Sequence, residues 1–164
     1  MDFQDIILKF DRFWARQGCA LLPPGAAGLS GAVPLCLAGA AARGPSPDGL
    51  PGLYRYRVLM RPAPADVRRL FLNSIREAGI DRAEHDLRWL SSEGEPPGWQ
   101  VLLDGLPLAD FRYLEARGGR GPAGAVIGIS LERLALVSQR KKSEADLAWS
   151  GRLTYGALHS GEAL

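Results

Sequence analysis

Gly128-Ile129-Ser130-Leu131-Glu132-Arg133-Leu134-Ala135-Leu136 is the stretch whose reading decides the fold. Small and apolar residues alternate up to Leu131, the period-two signature of a strand. Leu131, Leu134, Ala135 and Ser138 then recur at three and four, the spacing of one helix face. An arginine thus sits where a strand of small residues turns into a helix. Small residues let a flat ligand lie close to the backbone, and a permanent guanidinium can hold phosphate or stack on a base. A plain strand–helix junction with a surface arginine fits the same residues.

Working outward, the chain of 164 residues is long enough for one domain with a proper core. Its 46% hydrophobic and 23% charged residues are ordinary for a soluble globular protein, and a formal charge of +2 is too mild to argue for nucleic acid. Cys19 and Cys36 make no disulfide framework, and without a Cys-x-x-Cys or a His–Cys cluster no zinc site is expected. The acidic start, Met1-Asp2-Phe3-Gln4-Asp5, lacks signal-peptide form, so the expected location is cytoplasmic. Residues 17–42 carry no charge, but Pro23, Pro24, Pro34 and five glycines interrupt them, so no membrane span is expected.

Phe3 to Gln17 reads as a helix, with Phe3, Ile6, Ile7, Phe10, Phe13 and Trp14 on one face, Asp2 as its cap and Gly18 at its end. That face suits core packing or a dimer interface. Cys19 to Leu22 and Val33 to Leu37 read as short strands. In Leu53 to Met60, Tyr54, Tyr56 and Val58 share one face, and Arg55 and Arg57 the other. Asp66 to Ala78 is a second amphipathic helix, and Asp86 to Leu90 a short strand. Gly98 to Leu103 and Leu106 to Leu114 form a hairpin through Asp104-Gly105. Ala125 to Ser130 is the next strand and Leu131 to Arg140 its helix. The last twenty residues are weakly patterned. Hairpins mixed with helices, without βαβ repeats, give an α+β fold with a mostly antiparallel sheet.

These pieces, in this order, resemble the catalytic core of the bacterial glycyl-tRNA synthetase alpha subunit, a class II aminoacyl-tRNA synthetase. Phe3-Gln4-Asp5, Arg12-Phe13-Trp14 and Gln17-Gly18-Cys19 resemble the family's opening helix, which pairs subunits. Arg61-Pro62-Ala63-Pro64 through Glu84-His85-Asp86 resembles the segment after the second ATP motif. Gly98-Trp99, Leu103-Asp104-Gly105, Phe111, Tyr113 and Gly118-Gly119 resemble the hairpin lining the amino-acid pocket. Leu131-Glu132-Arg133-Leu134-Ala135 resembles the third class motif, and Asp146-Leu147, Trp149 and Thr154-Tyr155-Gly156 the region beyond. The resemblance implies a class II antiparallel sheet flanked by helices, spanning residues 1–164 as one domain, in a homodimer. It implies amino-acid activation: a carboxylate attacks the α-phosphorus of ATP, giving an adenylate and pyrophosphate.

The implied site assigns Arg133 and Arg43 to catalysis. It assigns Arg133, Glu132, Tyr56, Arg55 and Arg57 to ATP binding, and Trp99, Asp110, Arg112, Tyr113 and Glu115 to the amino-acid pocket. For Arg133 a triphosphate clamp and an ion pair with a nearby acid both stand. Glu132 reads as a structural partner of a neighbouring Arg or backbone N–H ahead of a metal ligand, and Tyr56, Trp99, Phe111 and Tyr113 read also as sheet packing. His85 and His159 read as structural.

The chain also departs from the family. The second-motif loop is shortened to Ala40 through Gly52, where Arg43 with Asp48-Gly49 is the remnant of its charged residues. Val126 stands where the family holds an acid, which argues against Mg²⁺, a cation that wants carboxylate or phosphate oxygens. Charged residues stand at pocket positions the family keeps polar and uncharged. The sequence stops before the family's C-terminal helical region, which argues against tRNA and beta-subunit contacts. Two readings follow. One is a truncated, divergent relative without full aminoacylation that binds a nucleotide, an adenylate-like ligand or a protein partner. The other is an active ATP-dependent amino-acid-adenylating ligase, with glycine or another amino acid and with tRNA or another acceptor.

Overall fold

The computed structural model describes residues 1–22, 35–42, 52–92, 97–115 and 122–160. Helix α1 (Phe3–Arg16) opens with a reciprocal cap in which the Asp5 amide donates to Asp2 at 2.8 Å and the Asp2 amide to Asp5 at 3.1 Å. Its aromatic face is spent inside the chain: Phe3, Ile6, Phe10, Phe13 and Trp14 are all buried. Strands β1 (Ala20–Leu21), β2 (Leu35–Ala42) and β3 (Tyr54–Arg61) follow, then helix α2 (Val67–Glu77). Next come β4 (Leu87–Ser92), β5 (Gly98–Leu103), β6 (Leu106–Glu115), β7 (Pro122–Ser130) and helix α3 (Leu131–Gln139). A 3₁₀ turn (Glu144–Asp146), the short pair β8 (Ala148–Ser150) and β9 (Leu153–Thr154), and helix α4 (Tyr155–His159) close the described chain.

Among the described residues seven strands form one sheet in the order β1-β2-β3-β7-β6-β5-β4, antiparallel except for β1 against β2. The β5–β6 turn has positive φ at both Asp104 and Gly105 (51° and 84°), the backbone that suits a strand-twist-matched hairpin and that Asp-Gly adopts readily. Strand β2 runs further than the pattern of Val33 to Leu37 foretells. Ala40, Ala41 and Ala42, expected in the shortened loop, pair instead with Tyr56, Arg55 and Tyr54. Alanine and glycine carry little strand preference of their own, so this strand is imposed by its neighbour.

Alternation sorts the sheet into two faces. Tyr56, Val58 and Met60 of β3, Phe111 of β6, and Ala125, Ile127 and Ile129 of β7 are buried on the helical face. Phe10 of α1 meets Tyr56 at 4.8 Å between ring centroids, and Phe71 of α2 meets Phe111 at 5.1 Å. The cysteines, which promised no disulfide framework, are joined as one disulfide, Cys19–Cys36, with Cα atoms 4.4 Å apart. The reason is register: Ala20 faces Leu37 across the parallel β1–β2 pair, which sets the preceding residues side by side. No helix among the described residues is long and apolar enough to cross a membrane.

Candidate functional site: a guanidinium-lined cleft on the open face

The face of the sheet opposite the helices carries a different set of residues. One register row crosses it through Gly39, Arg57, Gly128, Asp110, Gln100 and Leu90. The next row holds Leu59, Val126, Arg112, Gly98 and Ser92. Long polar side chains stand beside residues with no side chain, and a hollow results. Its volume is about 630 Å³, with Arg55, Arg57, Gln100, Asp110, Arg112 and Leu90 prominent in its wall. That size is ordinary for a small-molecule site.

Gly128 forms the floor. A Cβ there would come within 2.6 Å of Asp110 Oδ1, 3.1 Å of Arg55 Cδ and 3.5 Å of Arg55 Nη1. The Asp110 carboxylate and the Arg55 side chain therefore converge above a bare backbone, and Arg55 is only 9% exposed. Arg57 and Arg112 are exposed at the rim and make no ion pair or hydrogen bond with another described residue. Among the described residues the wall brings three guanidinium groups against one carboxylate, a set complementary to an anion.

The two charged residues of the strand–helix junction lie elsewhere. Ser130 caps α3 by accepting the Arg133 amide at 3.3 Å. Glu132 turns into the core, where its Oε1 accepts from the amides of Leu53 (2.9 Å) and Tyr54 (2.8 Å) and from the Tyr155 hydroxyl (3.0 Å). Burial raises its pKa above the usual carboxylate range, and these hydrogen bonds work the other way. Gly52, with φ of +96°, packs directly against its carboxylate, where a side chain has no room. Glu132 is thus an anchor for the start of β3, and the ATP-binding role implied for it finds no support in where its carboxylate points.

Arg133 reaches the hairpin end of β5, where its Nη2 donates to the Leu103 carbonyl at 3.3 Å. Burial holds its pKa below the ordinary guanidinium value, with the Asp104 charge opposing. It is not a wall residue of the cleft.

Three aromatic residues assigned to the site belong to the helical face. Tyr56 is fully buried, and its hydroxyl donates to Asp11 at 2.8 Å. Burial, then the Asp11 hydrogen bond, pushes that hydroxyl well above its ordinary pKa. The Trp99 ring lies 4.5 Å from the guanidinium carbon of Arg68, which belongs to α2 and also covers Trp89 at 4.3 Å. Trp99 and Phe111 border the hollow from the sheet itself while alternation turns their rings away from it. Tyr113 shares the parity of Phe111 and packs against the core. Arg43 and the side chain of Glu115 lie outside the described residues.

The site residues actually brought together are Arg55, Arg57, Asp110 and Arg112. Gln100 and Leu90 complete the hollow and were not anticipated, whereas its floor, Gly128, belongs to the strand of small residues read as able to take a ligand close to the backbone. His85 bonds Asp104 Oδ2 at 2.9 Å, and His159 bonds the Tyr54 hydroxyl at 2.7 Å and the Tyr155 carbonyl at 2.7 Å, so both serve the fold.

A mostly antiparallel sheet with helices on one face and a cleft on the other is the catalytic-domain architecture of class II aminoacyl-tRNA synthetases. The fold is shared with the pyrrolysyl-tRNA synthetase of Desulfitobacterium hafniense. One of its structures aligns with a TM-score of 0.62 at 13% identity over 92% of this chain and 73% of that one. A second aligns with a TM-score of 0.62 at 12% identity over 94% and 75%. Residues 40–163 match the family model of the glycyl-tRNA synthetase alpha subunit, and the chain belongs to that family.

Proposed function

We propose that the open-face cleft binds an adenylate-type ligand, a nucleotide or an aminoacyl-adenylate, and that the chain does not carry out full aminoacylation. The observation that supports the binding is the wall itself: among the described residues, three guanidiniums around a glycine floor, with a single carboxylate. Guanidinium pairs bidentately with phosphate and carboxylate oxygens, so ATP or AMP fits the set. Mg²⁺ does not fit it. That ion is held through carboxylates together with phosphate oxygens, and the one carboxylate of the described wall, Asp110, converges with Arg55, while Val126 occupies the open face between Leu59 and Arg112.

The test is a melting series with ATP, AMP and glycyl-sulfamoyl adenosine, together with pyrophosphate exchange for each amino acid. A ligand at a hundred times its Kd adds about 2.7 kcal/mol of stability. The expected result is a raised midpoint with at least one nucleotide and no exchange. Exchange with any amino acid would install the active-ligase reading. An unmoved midpoint for all three would leave a protein-interaction role.

Self-association belongs to the same reading. Leu8 of α1, the helix that resembles the family's pairing segment, and Leu21 of β1, the strand that follows it, are 47% and 46% exposed. Sedimentation is expected to show a dimer that Leu8→Glu with Leu21→Lys dissociates.

A further inference from the structure

We infer that the amino-acid part of this cleft's ligand carries an acidic side chain. The inference rests on the adenylate reading of the same cleft and names its substrate class. Two observations carry it. The charges of the hollow are of both signs, so a ligand made only of phosphates would set like charge against Asp110, whereas an amino acid presents an ammonium to Asp110 and an anion to arginine. A carboxylate has about four lone-pair sites, so Asp110 can accept an ammonium while lying beside Arg55.

The second observation is the surplus. Arg57 and Arg112 stand at the rim without an acidic partner among the described residues. Arg57 lies two strands from Asp110 in the same register row, with Gly128 between them, roughly 10 Å apart at the backbone. That span suits a ligand whose ammonium and side-chain carboxylate sit at opposite ends. A glycyl-adenylate anchored at Asp110, with its phosphate on one rim arginine, leaves the other unmatched.

Calorimetry on the whole chain with glycyl-, alanyl-, aspartyl- and glutamyl-sulfamoyl adenosine tests this, with AMP and ADP as phosphate-only probes. One acidic conjugate is expected to bind at least about tenfold tighter than the glycyl and alanyl ones, the ratio a charge-assisted hydrogen bond confers. R57Q/R112Q is expected to bring that ratio close to one. Both side chains are exposed, so its melting midpoint should stay near the wild-type value, and R112Q alone, expected to lower the ratio, provides a second variant. If the glycyl conjugate binds as tightly as the acidic ones, the inference fails and the adenylate reading stands. The same holds if ADP outbinds AMP while no acidic preference exists, or if the variants keep the preference. If no conjugate or nucleotide binds, both fail.

Discussion

The Tyr54 amide donates to Glu132 Oε1 at 2.8 Å in a part of the core where Glu132 is fully shielded from water. The same oxygen takes the Leu53 amide and the Tyr155 hydroxyl. Glu132→Ala would orphan three donors and leave a void, at a cost of about 3 kcal/mol or more. Glu132→Gln keeps the acceptor oxygen and removes a buried charge, so its urea midpoint at neutral pH should equal or exceed that of the wild type. The pH sign follows from the raised folded pKa. The protonated carboxyl stabilises the fold below its unfolded range near 4.5, and that contribution is lost as pH rises through the folded value. Wild-type stability relative to Glu132→Gln should therefore fall on going from acid toward neutral pH.

Gly128→Val tests the floor of the cleft. Its first side-chain carbon alone would meet Asp110 Oδ1 at 2.6 Å and Arg55 Cδ at 3.1 Å. Overpacking of this kind costs about 1–3 kcal/mol. Binding of AMP and of the sulfamoyl adenosines should be abolished while the circular dichroism spectrum stays native. Retained binding would place the ligand elsewhere.

Tyr56→Phe separates the two faces of β3. It removes the hydrogen bond to Asp11 and should cost about 1 kcal/mol by chemical denaturation. Affinity for adenylates should not change, because the ring lies on the helical side of the sheet, against Phe10. A loss of affinity comparable to that of Arg57→Gln would contradict the placement.

The β5–β6 turn gives an acid-limb prediction. Asp104 has its pKa lowered, first by the hydrogen bond from the Asp86 amide (2.9 Å) and further by His85. A lowered carboxylate stabilises the fold above its unfolded range near 3.8, and the contribution is lost as pH falls through the folded value. Its side chain is 41% exposed, so solvent screening keeps the effect below about 1 kcal/mol. Asp104→Asn preserves the turn and the Asp86 bond; it should lower stability at pH 7 by less than about 1 kcal/mol and flatten the profile below about pH 4.

Much of the fold was legible because it rests on local signals. The apolar spacing of α1, the Asp-Gly turn and the alternation of β3 each name their element without tertiary help. Strand β2 was not legible beyond Leu37, since Ala38 to Ala42 owe their conformation to pairing with β3. Nor were β8, β9 and α4, whose Trp149, Tyr155 and His159 cohere through ring contacts with Phe3 and Tyr54, residues about 100 or more positions away.

At the site, parity held information that family resemblance overrode. Tyr56 cannot share a face with Arg55 and Arg57, nor Tyr113 with Asp110 and Arg112, because successive strand residues point oppositely. The same rule, applied across the register, would have found Gln100. The inward turn of Glu132 had no local signal. It follows from three donors supplied by distant segments.

The strand order carries a consequence for how the cleft comes into being. Strand β3, bearing Arg55 and Arg57, hydrogen-bonds to β7, and its first residue is pinned through Glu132 to Tyr155. During synthesis the N-terminal third of the chain must wait for nearly everything after it to emerge before those arginines are locked in place. Binding competence is therefore a late-acquired property of this polypeptide, and a ribosome stalled before Tyr155 would display the basic strand without its final clasp.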